Sequence, residues 1–183
     1  LMNVLAGVHP RDGGSIVFEG LTLEHITVKK SEELGIAFVH QELNLFNDMT
    51  VYENIFIGKE YVNRFGRCDK KRMVKKAAEL FERLDVKIDP LEKVENLKTS
   101  EKQLLEISKA LFFDAKLLIL DEPVNGLDPI GIAEVRTFIR ELCDSGRKTI
   151  LISSHILSEI ALLADDIGII DHGVLLEEES FAA

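Results

Sequence analysis

The feature that most constrains the fold is an apolar run that ends in two adjacent carboxylates. Residues 116–123 read Lys-Leu-Leu-Ile-Leu-Asp-Glu-Pro. The central residues are apolar without alternation, as expected for a strand that is covered on both faces. Such strands form parallel sheets flanked by helices, and ligands bind beyond the carboxyl ends of those strands. The run therefore predicts an α/β fold with Asp121 and Glu122 at the ligand-binding edge.

Other short apolar runs predict further strands, at residues 15–18, 36–39, 149–153 and 167–170. Apolar residues at helical spacing predict helices at the start of the chain, after Asp69, after Ser100, and over residues 132–142 and 157–164. Because strands and helices alternate in the second half, we expect a mainly parallel sheet flanked by helices.

The middle of the chain carries helical signals only. Thr50 with Glu53, and Ser100 with Gln103, have the spacing of a capping box, which marks the start of a helix. We therefore predict one α/β domain, 1–183, in which residues 1–47 and 114–183 form the core. Residues 48–113 are predicted to form an inserted helical subdomain.

The charge balance disfavours nucleic acid as a partner. The chain has a net charge of −10, whereas phosphate backbones require clustered Lys and Arg. The one basic run, residues 67–76, is interpreted as a solvated helix face. Two widely separated cysteines indicate a reducing compartment. Since no apolar run approaches the roughly 20 residues that cross a bilayer, we expect any membrane association to require a partner.

The residues after the predicted strands are candidates for phosphate chemistry. Asp121 can hold a magnesium ion through its water shell, and Glu122 can polarise a water molecule for attack on a terminal phosphate. His155, after the next strand, can donate a hydrogen bond to a γ-phosphate oxygen. Alternatively, His155 lies in the first turn of a helix capped by Ser153 or Ser154.

Two further polar residues gain interest from their positions. Gln41 follows the predicted strand at 36–39, and its amide can reach a magnesium-bound water. Residues 125–129, Asn-Gly-Leu-Asp-Pro, are typical of a turn. Directly after the acidic pair, this turn can instead carry Asp128 to a subunit interface.

In this order the motifs resemble the nucleotide-binding domain of ATP-binding cassette (ABC) proteins. Residues 39–42 resemble its Q-loop, residues 117–122 its Walker B motif, residues 125–128 its D-loop, and His155 its H-loop. The resemblance implies a P-loop NTPase-like fold, ATP and Mg²⁺ as cofactors, and ATP hydrolysis coupled to transport.

The resemblance also assigns roles to these residues. Glu122 is the implied catalytic base and His155 the γ-phosphate contact, while Asp121 and Gln41 form the magnesium environment. Asp128 is the implied communicator to a second nucleotide-binding domain, which is either a dimer partner or a tandem fusion in the same chain. Transmembrane permease subunits are the other implied partners, which would hold the chain at the cytoplasmic face of the plasma membrane.

Two departures from the family pattern matter. The phosphate-binding loop GxxxxGK[ST] does not occur in the 183 residues. In the family this loop precedes a helix like the one predicted at Leu1, so we expect a truncation just after the loop. We also expect weak nucleotide binding by the chain alone, because the loop supplies backbone N–H groups and a lysine to the phosphates.

The signature motif LSGGQ is also altered, over residues 97–103. Its serine falls on Lys98, its two glycines on Thr99 and Ser100, and its glutamine on Glu101. In the family this helix start contacts the γ-phosphate held by the opposite subunit, so Ser100 is a nucleotide-binding candidate. Ser100 and Gln103 are expected to cap the helix, and Glu101 to bring a negative charge toward phosphate. A non-catalytic, degenerate domain therefore stays an alternative.

The halves of the chain resemble different transporters. Residues 35–43 and 49–58 resemble ribose- and galactose-type sugar importers, whereas residues 125–132 and 153–160 resemble bacitracin- or lantibiotic-type exporters. We expect sugar import, because the helical insert faces the membrane partner and lies in the first half. An antibiotic-peptide exporter ATPase and a non-transport relative acting on ribosomes or chromosomes are the alternatives.

Overall fold

A computed structural model describes residues 1–145 and 148–180. In chain order its elements are α1 (Met2–Leu5), β1 (Ile16–Phe18), β2 (Leu21–Leu23), α2 (Val28–Glu33), β3 (Ile36–Val39), α3 (Val51–Phe56), α4 (Lys70–Arg83), a 3₁₀ turn (Val94–Asn96), α5 (Thr99–Phe112), β4 (Leu117–Asp121), α6 (Pro129–Asp144), β5 (Thr149–Ser153), α7 (Leu157–Ile160), β6 (Asp166–Asp171) and β7 (Val174–Ser180).

Three of the predicted strands form a parallel sheet in the order β3–β4–β5. The central strand is the apolar run, and its residues Leu118, Ile119 and Leu120 are fully buried. Val39 of β3 lies opposite Leu120, and Asp121 lies opposite Ser153 of β5. The carboxyl ends of all three strands therefore meet at one edge, as predicted.

The predicted strand at 167–170 exists as β6, but it does not extend the parallel sheet. It pairs antiparallel with β7 in a separate two-stranded sheet. The cause is local: His172 and Gly173 both have positive φ, at 45° and 79°, and two such residues make the tight turn that joins hairpin strands. A second hairpin, β1–β2, contains the strand predicted at 15–18.

The helices follow their apolar stripes. Helix α4 buries Met73, Ala77, Leu80 and Phe81, and α6 buries Val135, Phe138, Ile139 and Leu142. The helix predicted over 157–164 is shorter, because regular α-helix ends at Ile160. No helix in residues 1–145 and 148–180 is long and apolar enough to span a membrane.

One continuous core joins the sheet to the helices of the middle segment. Val39 and Leu120 pack in the same buried cluster as Ile55 of α3 and Leu105 of α5. Residues 48–113 contain α3, α4, the 3₁₀ turn and α5, with isolated bridges from Thr50 to Lys93 and from Val62 to Cys68. The subdomain boundaries at 48 and 113 stay predictions, and the predicted core at 146–147 and 181–183 lies outside the described residues.

One of the two predicted capping boxes is confirmed. Thr50 precedes α3, and its backbone N–H donates to Glu53 Oε2 at 2.9 Å. The predicted cap of α5 by Ser100 and Gln103 is wrong, because the helix begins at Thr99 and both residues are inside it. The helix start is held instead by the Lys98 backbone N–H, which donates to Glu101 Oε2 at 2.8 Å.

Gly7 fixes the exit from α1. Its φ is +76°, and a Cβ built on it would lie 2.3 Å from the carbonyl carbon of Thr27. Only glycine accommodates both the backbone conformation and this close approach. The first helix is thereby packed against the residues that begin α2.

Candidate functional site

The acidic edge, which we define as residues 121–122 and 153–155, lies where β4 and β5 end. Asp121 is the last residue of β4 and lies opposite Ser153, whose hydroxyl donates to Asp121 Oδ1. His155 Nδ1 lies 2.9 Å from Glu122 Oε1. The structure thus brings together three residues that the sequence predicts as catalytic or metal-binding, from two segments that are 32 residues apart in the chain.

Glu122 has an unusual backbone. Its φ is +49°, a left-handed conformation that is uncommon for residues with a side chain. Its backbone N–H still donates to the Ser153 carbonyl at 3.0 Å, so the sheet pairing continues past Asp121. Backbone conformations of this kind cluster at functional sites, where the surrounding structure maintains them. Here they turn the Glu122 carboxylate toward His155.

The environments of Glu122 and His155 differ. The Glu122 side chain is 17% exposed, whereas the His155 side chain is 66% exposed. Ser154 directly precedes His155. Its hydroxyl is 3.4 Å from Glu122 Oε2 and accepts the Ile156 backbone N–H at 3.1 Å. Because α7 begins at Leu157, His155 precedes the first turn of that helix. The His155 ring contacts Glu122 and is largely exposed, so a ligand can reach it.

Gln41 lies near this edge by strand register. It follows β3 by two residues, and Val39, the last residue of β3, is paired with Leu120 next to Asp121. The Gln41 residue is exposed. Its position therefore fits the prediction that it lies beside Asp121, although the described side chains form no hydrogen bond between them.

Ser100 and Asp128 form a second group around Gly131. Asp128 precedes α6, and its Oδ1 accepts the Gly131 backbone N–H at 2.9 Å. Ser100 is 6% exposed in the first turn of α5, and its hydroxyl donates to Glu134 Oε2 at 2.9 Å. A Cβ on Gly131 would meet Asp128 Oδ1 at 2.8 Å and Ser100 Cβ at 3.0 Å. The altered signature residue and the D-loop residue are therefore packed together within one chain.

Glu101 holds the start of α5. One oxygen of its carboxylate accepts the Lys98 backbone N–H, as glutamate at the third position of a helix commonly does. That this carboxylate brings negative charge toward a phosphate stays a prediction.

A separate cavity of about 420 Å³ lies between β3 and α5. Phe38, His40, Asn44 and Glu106 are among its lining residues, whereas no residue of the acidic edge lines it. Glu106 is 9% exposed, and within the described part of the chain its Oε1 has no hydrogen-bond partner. Burial raises the pKa of the Glu106 carboxyl above its ordinary value, although the positive charge of Lys109 opposes this effect.

The donors at the acidic edge fit magnesium. Mg²⁺ is usually held by one or two carboxylates together with water and substrate phosphates. Asp121 offers a carboxylate that the Ser153 hydroxyl orients through Oδ1, and Gln41 offers an amide oxygen. Among residues 1–145 and 148–180, no group of three or more His, Cys, Asp or Glu side chains is placed to hold a metal.

Sequence reasoning missed several contacts of the site. The sequence indicates Ser153 and Ser154 only as helix caps, whereas in the structure their hydroxyls contact Asp121 and Glu122. The pairing of β4 with β5 could have indicated Ser153, because parallel strands of equal length place their last residues opposite each other. Glu134, the partner of Ser100, carried no signal, because the contact joins two helices whose packing the sequence does not specify.

Comparison with known proteins supports this assignment of motifs. A family model described as ABC transporter matches residues 1–125. The ribose import ATP-binding protein RbsA of Oceanobacillus iheyensis is 41% identical over 174 residues, or 95% of this chain. The match covers 35% of that relative, so the chain spans about a third of its length.

Solved structures show the same fold. A nucleotide-free ATP-binding cassette from an ABC transporter matches with a TM-score of 0.83 and 25% identity, over 98% of this chain and 74% of that one. The ADP conformation of MJ1267, an ATP-binding cassette of an ABC transporter, matches with a TM-score of 0.84 and 24% identity, over the same shares. The predicted P-loop NTPase-like fold is confirmed. By the family match and by its identity to the ribose import relative, the chain belongs to the ABC transporter family.

Proposed function

We propose that this chain is the ATP-hydrolysing part of a carbohydrate importer, in which ATP binding and hydrolysis drive transport. The observation that carries the proposal is the 2.9 Å contact between Glu122 and His155 at the carboxyl edge of the sheet. It joins a candidate base to a candidate phosphate contact at the place where α/β sheets bind their ligands.

Each residue of the acidic edge has a proposed task. The Glu122 carboxylate accepts a proton from the water that attacks the terminal phosphate, and its low exposure favours this role because few solvent molecules compete for it. Before the nucleotide arrives, His155 Nδ1 is held beside the Glu122 carboxylate. Because a neutral imidazole has a single N–H donor, the exposed His155 ring gives up this contact when it donates a hydrogen bond to a γ-phosphate oxygen.

Asp121 and Gln41 are the proposed magnesium environment. When bound, Mg²⁺ would neutralise negative charge during phosphoryl transfer. Asp121 is oriented for this role by Ser153, since the hydroxyl occupies Oδ1. Ser100 and Asp128 are proposed to meet a nucleotide held by a second nucleotide-binding domain, with Asp128 passing the signal across the dimer.

Sugar import is the proposed transport direction and cargo. The support is the relative named a ribose import protein, whose similarity extends over both halves of the chain. It favours import over the exporter alternative that the second half alone suggested. Transmembrane permease subunits are the proposed partners, and they would hold the chain on the cytoplasmic face of the plasma membrane.

The direct test is magnesium-dependent phosphate release from ATP. Two proteins are compared: the 183-residue chain, and the same chain preceded by a strand and the family's GxxxxGK[ST] loop. We expect turnover only in the loop-completed protein. Glu122→Gln should abolish it, whereas Asp171→Asn should not, because Asp171 is an exposed carboxylate that ends β6 outside the acidic edge.

The alternative outcomes are distinct. If the loop-completed protein binds ATP but shows no turnover, the altered signature at 98–101 makes this a degenerate partner domain and the hydrolytic proposal fails. Turnover that survives Glu122→Gln would remove the acidic edge from the mechanism.

A further inference from the structure

The helical part of the molecule carries a concentrated positive charge that the proposed function does not use. Residues 61–76 contain seven Lys and Arg and one Asp, a net charge of +6 in a chain whose net charge is −10, so the other residues sum to −16. We define residues 61–76 as the basic hairpin. From the sequence, residues 67–76 of this segment are interpreted as a solvated helix face. In the structure a hydrogen-bonded turn precedes that helix.

The first half of the basic hairpin is a well-formed turn. Val62 and Cys68 are bridged antiparallel, and the Asn63 backbone N–H donates to the Arg67 carbonyl at 2.8 Å. The Asn63 side chain accepts the backbone N–H groups of Phe65 and Arg67, at 2.9 and 3.1 Å. These bonds hold residues 64–66 at a tip that points away from the core.

The tip presents an aromatic ring to solvent. Phe65 is 73% exposed, and the Arg64 guanidinium lies 4.8 Å from its ring centroid. An exposed Phe on a hydrogen-bonded tip, with Arg64 and Arg67 beside it, combines an apolar group with cations. This is the combination that interfacial membrane segments use.

Most cationic side chains of the basic hairpin form no ion pair within the described residues. Within the described residues, the ion pairs of the basic hairpin involve only Lys75 and Lys76, and both pair with Glu79. The Arg72 guanidinium stacks on Tyr61 at 4.2 Å, which fixes α4 to the turn without neutralising the charge. The opposite side of α4 is buried in the core, so its cations face outward.

We propose that the basic hairpin binds the anionic surface of a lipid bilayer directly, with Phe65 entering the headgroup region. Charge complementarity selects this occupant, because juxtamembrane cations are attracted to anionic leaflets. The strongly acidic remainder of the chain would be repelled by the same surface, which leaves the basic hairpin as the contact. The contact adds to any anchoring by permease subunits, and it needs neither nucleotide nor partner.

The test is sedimentation of the 183-residue chain with vesicles. One set is phosphatidylcholine alone, and the other contains roughly one third phosphatidylglycerol. We expect binding to the anionic set only, with a large loss when salt rises from about 0.05 M to about 0.5 M. Arg67→Glu with Lys71→Glu should weaken binding by about tenfold or more. Phe65→Ser should reduce the binding that persists at high salt.

Matched controls distinguish the effect of charge on the basic hairpin from the effect of the net charge of the chain. Lys29→Glu with Lys87→Glu makes the same change in net charge at exposed positions elsewhere and should leave binding unchanged. Leu21→Ser removes another exposed apolar side chain and should also have no effect. Circular dichroism confirms that each variant is folded.

Three results would overturn the proposal. They are equal binding to both vesicle sets, equal losses in the control and hairpin variants, and absence of vesicle binding altogether. An RNA oligonucleotide is tested in parallel. If the RNA binds, if Arg67→Glu with Lys71→Glu weakens that binding, and if vesicles do not bind, the surface is a nucleic-acid site and the lipid proposal is wrong. None of these results depends on ATP hydrolysis, so the proposed function is tested separately.

Discussion

At the scale of single residues, the Glu122 carboxylate is placed by its backbone as much as by its neighbours. The positive φ of Glu122 turns its side chain out of the strand direction, and the Ser153 carbonyl secures its N–H. His155 and Ser154 then contact its two carboxylate oxygens, at 2.9 and 3.4 Å. A carboxylate held in this way has little freedom to lose when a ligand binds.

The hydrogen bond between Ser100 and Glu134 predicts an energetic coupling. Ser100→Ala should lower the free energy of unfolding by about 1 kcal/mol, because Glu134 Oε2 loses the hydroxyl that donates to it. In a double-mutant cycle, Ser100→Ala should cost less free energy of unfolding in the Glu134→Ala background than in the parent chain. Urea denaturation measures both values.

The same cycle has an internal control. Glu141 lies on the same helix as Glu134, and its side chain has no hydrogen bond or ion pair within the described residues. Glu141→Ala should show no coupling with Ser100→Ala. Equal coupling at both positions would contradict the proposed link between α5 and α6.

Glu106 predicts a dependence of stability on pH. Since burial raises the pKa of its carboxyl, the folded state binds the proton more tightly than the unfolded chain. The free energy of unfolding should therefore fall as pH rises from the ordinary glutamate pKa, about 4.3, through the raised pKa of the folded state. Glu106→Gln should remove this fall and stabilise the chain at pH 8 by about 1 kcal/mol.

Chemical denaturation across pH tests this prediction. Below the ordinary glutamate pKa the variant and the parent should be equally stable, because both carry a neutral side chain there. Glu82→Gln, at an exposed position on α4, should leave the pH profile unchanged. If Glu106→Gln destabilises the chain at pH 8, the buried carboxylate is better satisfied than its unpartnered Oε1 indicates.

The positions of site residues were predictable where backbone geometry alone decides them. Asp121, Glu122 and His155 follow adjacent strands, so the sheet brings them to one edge whatever their rotamers. The cap of α5 was assigned to the wrong residues, because Lys98 lacks the Ser, Thr, Asp or Asn side chain that usually marks a helix start, although Glu101 reaches back to its backbone N–H. The partners of Ser100 and Ser154 depend on packing and rotamers, which single-residue patterns do not reveal.

At the scale of secondary-structure elements, α3 depends on its capping box. The Thr50 side chain and backbone both donate to Glu53, and these bonds lower the pKa of the Glu53 carboxyl. Glu53→Ala should cost about 1 kcal/mol near neutral pH. Because the folded-state pKa is lowered, this contribution is present above the ordinary glutamate pKa and is lost as pH falls through the lowered value.

Urea titrations near neutral pH and in acid measure the Glu53 contribution. The gap between Glu53→Ala and the parent should narrow in acid. Glu82→Ala, at an exposed position on α4, should show no such narrowing. A gap that is constant with pH would mean that the Glu53 side chain acts by packing and not by its charge.

The strand with the clearest sequence signal is the buried one. Strand β4 matches its predicted run because its central apolar residues are covered on both faces. Strand β7 was not predicted, because all its residues are exposed and three consecutive glutamates follow its apolar start. Strand β2 has only three residues, which is too short to show periodicity.

At the scale of the whole molecule, stability should be uneven. Strand β4 is paired on both sides and its centre is fully buried, whereas β6 and β7 pair only with each other and are largely exposed. Hydrogen exchange should therefore be slowest in β4 and much faster in the β6–β7 hairpin. Mass spectrometry of exchanged peptides measures this, and equal protection in the two regions would contradict the described arrangement.

We propose that Glu122 acts on the attacking water and does not hold the nucleotide, and a paired measurement separates these two roles. ATP affinity and single-turnover hydrolysis are measured together for the loop-completed protein and its Glu122→Gln variant. We predict unchanged affinity and hydrolysis slower by about a hundredfold or more. Parallel loss of affinity and hydrolysis, or unchanged hydrolysis, would contradict it.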